Sequence, residues 1–159
     1  MKNKFVKLLA ISAVIFGSVS CQDEVAAIGQ KAPAIAAYAL QGKEVKLDDW
    51  EGTRLLTCWS ETCGRCVAEL KEFEKLAEAN PDKVQLIANN VDGDKVDTKA
   101  VVAKRQLTLP VIKDQLKITA ERYQLIGTPT SFVITPEGNI QAKYEGSIPA
   151  ADLDKLFKG

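Results

Sequence analysis

The chain has 159 residues, 46% hydrophobic and 26% charged, the proportions of one globular domain rather than of a disordered, collagen-like or multi-span membrane protein. Its 21 Lys+Arg balance 21 Asp+Glu, but Lys2, Lys4 and Lys7 stand in an acid-free first twenty residues, so 21–159 carries 18 basic against 21 acidic side chains, a net −3. Mild acidity without a basic run gives no electrostatic footing for nucleic acid. The lack of any histidine removes Ser-His and Cys-His pairs, histidine-ligated metals and haem attachment through C-x-x-C-H. Chemistry is left chiefly to Cys21, Cys58, Cys63 and Cys66.

Residues 1–20 have the layout of a secretory signal peptide: three lysines, an apolar run from Leu8 to Gly17 that is too short to span a bilayer, then Ser18 and Ser20. Such a leader places the mature chain in an oxidising, extracytoplasmic compartment, the periplasm. Cys21 stands where a bacterial lipoprotein carries its lipid-modified cysteine, although Ser18-Val19-Ser20 matches a lipobox only loosely. A plain cut near Ser20 or Ala27 is the alternative. With the lipid, the domain is tethered to a membrane surface. Residues 21–34, polar and alanine-rich with Gly29 and Pro33, read as the tether, and 35–159 as the domain.

Within that domain, Ile35–Leu40 and Glu44–Leu47 flank Gln41-Gly42-Lys43 as a short hairpin. Arg54–Trp59 reads as a buried strand. Cys66, Leu70, Phe73 and Ala77 mark one face of a helix that Asn80-Pro81 ends. A strand over Lys83–Ala88, a polar helix over Lys95–Gln106, a short strand over Leu109–Ile112 and a helix over Ile118–Gln124 follow. Strands Ser131–Thr135 and Ile140–Tyr144 flank the turn Pro136-Glu137-Gly138-Asn139, and a helix over Ala150–Phe157 closes the chain. Strands alternating with helices indicate an α/β sandwich around one mostly parallel sheet with a terminal antiparallel hairpin.

Cys63-Gly64-Arg65-Cys66 falls where the first buried strand turns into the first helix. At i and i+3 in a helical turn the two sulfurs lie on one side and can approach to bonding distance. The unpaired N–H groups and dipole of a helix N-terminus, with Arg65 adding positive charge, stabilise a thiolate on Cys63. Cys63 is then the attacking thiol and Cys66 the resolving thiol of disulfide exchange. The same spacing also occurs in zinc half-sites and static disulfides. Zinc wants four ligands, and only Cys58 and Cys21 remain without histidine. A static disulfide across so short a loop restricts the unfolded chain little.

The segment Thr57-Cys58-Trp59-Ser60-Glu61-Thr62-Cys63-Gly64-Arg65-Cys66 resembles the strand and active site of the thioredoxin superfamily. Gly127-Thr128-Pro129-Thr130-Ser131-Phe132-Val133-Ile134 resembles its cis-proline loop and following strand. Lys43–Trp50, Leu109-Pro110-Val111-Ile112-Lys113-Asp114 and Pro136-Glu137-Gly138-Asn139-Ile140 are similar to the TlpA/ResA/DsbE branch, over about residues 30–157. The resemblance implies a thioredoxin-like fold with a central mixed sheet, an N-terminal hairpin and a helix–strand insertion between the two motifs. It implies exported, membrane-tethered exchange with cysteine-containing envelope polypeptides, apocytochrome c among them. Electrons would come from a membrane thiol donor, with no organic cofactor or metal. A Cys63–Cys66 disulfide would pack against a cis Thr128–Pro129 bond, where the Thr128 main chain pairs with an extended substrate. Glu69 matches the branch's acidic residue, one helical turn from Cys66, placed to exchange that thiol's proton. The alternative for Glu69 is a solvated helix glutamate in Glu69-Leu70-Lys71-Glu72, and read from the residues alone Pro129 is equally an ordinary strand-opening proline.

Departures from the family pattern are specific. Thr57 replaces the acid that thioredoxins bury in the strand, and Thr62 replaces the aromatic residue before the first cysteine. Cys58, Trp59 and Trp50 read as core. The peroxiredoxin signature P-x-x-x-T-x-x-C would need proline and threonine where Leu56 and Ser60 stand. A binding module holding Cu(I) through the two thiolates is the reading from another class, although Sco-type chaperones add a histidine.

Overall fold

A computed structural model describes residues 24–159; the leader read over 1–20 and Cys21 lie outside the described residues. The elements in chain order are β1 (Ala37–Ala39), β2 (Glu44–Val45), β3 (Arg54–Trp59), α1 (Gly64–Ala79), β4 (Gln85–Asn90), α2 (Thr98–Arg105), β5 (Val111–Lys113), α3 (Ile118–Arg122), β6 (Thr130–Ile134), β7 (Ile140–Glu145) and α4 (Ala150–Lys158). The described strands form one sheet in the order β2-β1-β5-β4-β3-β6-β7. Strand β3 lies deep in it, parallel to β4 (Leu55↔Leu86 through Trp59↔Asn90) and antiparallel to β6 (Cys58↔Thr130). The crossovers through α1 and α2 make β3, β4 and β5 parallel, as connections of that length require. The other pairings are antiparallel. The sheet is therefore mixed, as the family resemblance implies, and not mostly parallel as the alternation of elements alone suggests, because the β1–β2 hairpin joins β5 in reverse and β6 enters beside β3 in reverse.

All six residues of β3 are buried, because both faces of the sheet are covered, and alternation sorts its side chains between two cores. Leu55 and Trp59 face a cluster with Cys66, Val67, Leu70 and Phe73 of α1 and Leu153 and Phe157 of α4. Leu56 faces Ile87, Ile112, Tyr123, Phe132, Ile134 and Ile140 on the opposite side. The helical period read from Cys66, Leu70 and Phe73 is the buried stripe of α1, which Asn80 ends by donating from Nδ2 to the Leu76 carbonyl (2.9 Å). Helix α3 starts from a fully buried carboxylate, Asp114, which accepts the N–H groups of Thr119 (3.1 Å) and Ala120 (2.7 Å).

Two expectations shift. Strand β4 runs over 85–90 instead of 83–88, because its register follows β3 to Trp59 and draws the polar Asn89 and Asn90 into the sheet. Much of the stretch read as a tether lies on the domain. The Ala26 N–H donates to the Arg122 carbonyl, Gly29 and Gln30 bond Ile140, Ala32 bonds Gly138, and the Tyr123 hydroxyl donates to the Pro33 carbonyl (2.7 Å). Composition alone reads alanine, glycine and proline as linker. Here the backbone of the stretch bonds the end of α3, the β6–β7 turn and the first residue of β7.

Candidate active site

At the C-terminal end of β3 the chain makes a three-residue polar connection, Ser60-Glu61-Thr62, and enters α1. Cys63 is the N-cap of that helix: its Sγ accepts the Cys66 N–H (3.2 Å), one of the donors that the first turn leaves without a helical partner. The two sulfurs are 2.09 Å apart, at disulfide distance. Their exposure differs. Cys63 is half-buried with Gly64 and Arg65 exposed beside it, whereas Cys66 is sealed in the core below. An incoming sulfur can therefore reach Cys63 and not Cys66.

The second motif meets the first. The Thr128–Pro129 bond is cis, and the Thr128 carbonyl oxygen lies 3.7 Å from Cys63 Sγ. Two contacts hold this loop: the Thr130 hydroxyl donates to the Gly127 carbonyl (2.7 Å), and the Gly146 N–H donates to the Pro129 carbonyl (2.8 Å). Thr128 thus stands at Cys63, with Pro129 next to it in the chain, although 65 positions separate Thr128 from Cys63 in sequence. Ile126, the most exposed large hydrophobic side chain of the described residues, lies just ahead of them.

Glu69 is buried, not solvated. Its Oε1 accepts the Ile148 N–H (2.9 Å), tying α1 to the β7–α4 loop, while Oε2 is buried without a partner. Burial pushes the carboxyl above the usual range, and the Ile148 bond and the Arg65 charge oppose that only in part. Arg65 itself is exposed, and its charge is felt at Glu69. Cys58 is fully buried, receives Asn89 Nδ2 at 3.8 Å, and burial holds its thiol up at about 12, the state of an inert core thiol. Trp59 is fully buried and Trp50 packs at the edge of the opposite core.

Other residues of the site escape a reading of the sequence. Where thioredoxins bury an acid, Thr57 shares a hydrogen bond with Ser131 Oγ across β3 and β6 (3.0 Å), both side chains buried. Asp92, in the loop after β4, accepts from the Ser60 hydroxyl (2.6 Å) and the Glu61 N–H (2.8 Å). The Asn90-Val91-Asp92 run carries no spacing signature. Only the β3–β4 register brings it to the cysteine loop.

A half-buried sulfur at a helix N-terminus, bonded to a second sulfur sealed in the core and faced by a cis-proline loop, all on a mixed sheet flanked by helices, defines a thioredoxin-like protein of the thiol–disulfide oxidoreductase class. Comparison with known proteins agrees. A profile of the AhpC/TSA family matches residues 28–143, and the chain belongs to that family. It is 26% identical to the sporulation thiol-disulfide oxidoreductase A of Bacillus subtilis over 155 residues, covering 92% of this chain and 94% of that one. It is also 26% identical to the thiol-disulfide oxidoreductase ResA of Bacillus thuringiensis over 167 residues, covering 99% and 96%. The crystal structure of the thioredoxin domain of a Bacteroides vulgatus thiol-disulfide oxidoreductase superposes with a TM-score of 0.68 at 28% identity, over 83% of this chain and 94% of that domain.

Proposed function

We propose that the protein is an extracytoplasmic reductant of disulfides in cysteine-containing envelope polypeptides, apocytochrome c among them, recharged by a membrane thiol donor and anchored through a lipid on Cys21. The observation that carries the reading is the half-exposed Cys63 sulfur at the start of α1, bonded to a buried Cys66 and faced by Thr128. In the reduced protein the Cys63 thiolate attacks one sulfur of a substrate disulfide. A mixed disulfide forms and the substrate's other sulfur leaves as a thiolate. Cys66 then loses its proton, with Glu69 as the acceptor, and attacks Cys63 Sγ, so the first substrate sulfur leaves. Two electrons pass to the substrate, one of its thiolates regains the proton held by Glu69 and the other takes one from water, and the Cys63–Cys66 disulfide remains. During the mixed disulfide the Thr128 main chain aligns the substrate as an added strand.

Insulin reduction tests the enzyme. Cys63→Ser abolishes turnover, and Cys66→Ser traps a mixed disulfide visible on a non-reducing gel; unchanged turnover in Cys63→Ser refutes the assignment. The potential of the couple tests direction: a value near about −270 mV fits a reductant and one near about −120 mV an oxidant. Fractionation of cells carrying Cys21→Ala tests the anchor, which requires release of the protein into the soluble fraction.

A further inference from the structure

The connection that delivers Cys63 is held from outside by a small polar network. Asn90, the last residue of β4, is fully buried and in register with Trp59, the last residue of β3. Its Nδ2 donates to Asp92 Oδ2 (2.8 Å), and its Oδ1 accepts the Asp92 N–H (3.2 Å) and the Thr98 hydroxyl of α2 (3.4 Å). With both ends of the carboxamide engaged, Asn90 sets the direction of the Asp92 carboxylate. That carboxylate takes three donors, from Asn90, the Ser60 hydroxyl (2.6 Å) and the Glu61 N–H (2.8 Å). Hydrogen bonds to an ionised acceptor are shorter and roughly twice as strong as neutral ones.

The hydrogens then have one consistent arrangement. Asp92 accepts only, so the single Ser60 proton goes to it. The Ser60 lone pairs remain for the Thr62 hydroxyl (3.1 Å) and the Thr62 N–H (3.4 Å), and the Ser60 carbonyl accepts the Cys63 N–H (3.1 Å). Every residue between β3 and Cys63 is thereby held, directly or through Ser60, by one carboxylate anchored in the neighbouring strand. Connecting segments are in general more mobile than the elements they join, and these bonds restrain this one.

We propose that Asp92 is a positioning residue for thiol–disulfide exchange: oriented by Asn90, it fixes Ser60-Glu61-Thr62 so that the Cys63 sulfur stays at the helix N-terminus, against the Cys66 N–H, where its thiolate is stabilised. This rests on Cys63 being the attacking thiol. Asp92 touches no reacting atom. The charged side chains near Cys63 in the chain, Glu61, Arg65 and Glu69, are unchanged by the test.

The test uses Ser60→Ala, which keeps every charge, and Asp92→Asn, which removes one. In the reduced proteins, alkylation of Cys63 is followed against pH, and insulin reduction is measured alongside. Positioning requires the Cys63 alkylation profile to move to higher pH in both variants, since a sulfur freed from the helix terminus loses its stabilisation. Exchange is expected to fall about tenfold in each, as small misplacements at a reacting group do, and little further in the double variant, because the two residues act through one path. An unmoved profile, or a downward shift in Asp92→Asn as simple removal of a nearby negative charge would give, overturns the proposal. If the unsubstituted protein reduces no protein disulfide, the proposed function fails, and the alkylation profiles still decide the role of Asp92.

Discussion

Glu69 offers the sharpest link between stability and chemistry, through the paired variants Glu69→Gln and Glu69→Ala. The side chain is 5% exposed, with Oε1 accepting the Ile148 N–H at 2.9 Å and Oε2 unpaired. The glutamine keeps the shape and the Ile148 bond. The alanine leaves the Ile148 N–H orphaned in the interior, a loss of about 1–3 kcal/mol. Burial raises the carboxyl above its unfolded value, so the folded protein holds that proton more tightly than the unfolded chain does. The associated stability is full below the unfolded value of 4.5 and is lost as pH rises through the folded one. Glu69→Gln has nothing to ionise there, so its stability falls less over that interval and at neutral pH equals or exceeds that of the parent. Its chemistry moves the other way. With Glu69 as the proposed acceptor of the Cys66 proton, its loss slows the resolving step by about 100-fold. Urea unfolding at a series of pH values, with single-turnover release of substrate from the mixed disulfide, measures both. Parent and glutamine proteins with the same pH dependence of stability, or resolution at the parent rate in the glutamine protein, would refute the reasoning.

Three further outcomes follow from the packing. Cys58, with its thiol held up at about 12 by burial, stays unmodified by iodoacetamide at pH values near 8 in the reduced, folded protein and reacts only in denaturant; labelling under native conditions would contradict its burial. Arg54 is buried and donates to the carbonyls of Leu47 (3.0 Å), Thr135 (2.7 Å) and Pro136 (3.2 Å), joining the turn before β3 to the β6–β7 turn. Arg54→Met should cost about 3–5 kcal/mol in urea unfolding, since acceptors of a buried charged donor are left unpaired, and a loss below about 1 kcal/mol would show that water replaces the guanidinium. Phe73 is fully buried with its ring centroid 6.4 Å from that of Phe157, so Phe73→Ala should cost about 3–5 kcal/mol, measured by thermal or urea unfolding.

The sequence by itself determined the elements that local patterning specifies and the identity of the reacting atoms. Arg54–Trp59 was legible as the buried strand because its run is short and continuous, and the stripe Cys66, Leu70, Phe73 because a helix face repeats at that spacing. A C-x-x-C between the two located the sulfurs, since helix termini have the same electrostatics in any protein. What only the tertiary structure decided depends on residues far apart in the chain. It buried Glu69 under the β7–α4 loop, laid residues 26–33 on the domain, and brought Thr128 to Cys63 and β6 beside β3 in reverse, which no local pattern encodes and only the family resemblance implied. It also brought Asp92 to Ser60. A carboxylate's role is set by the donors it meets, and for Asp92 those are supplied by strand register, which no local run of residues encodes.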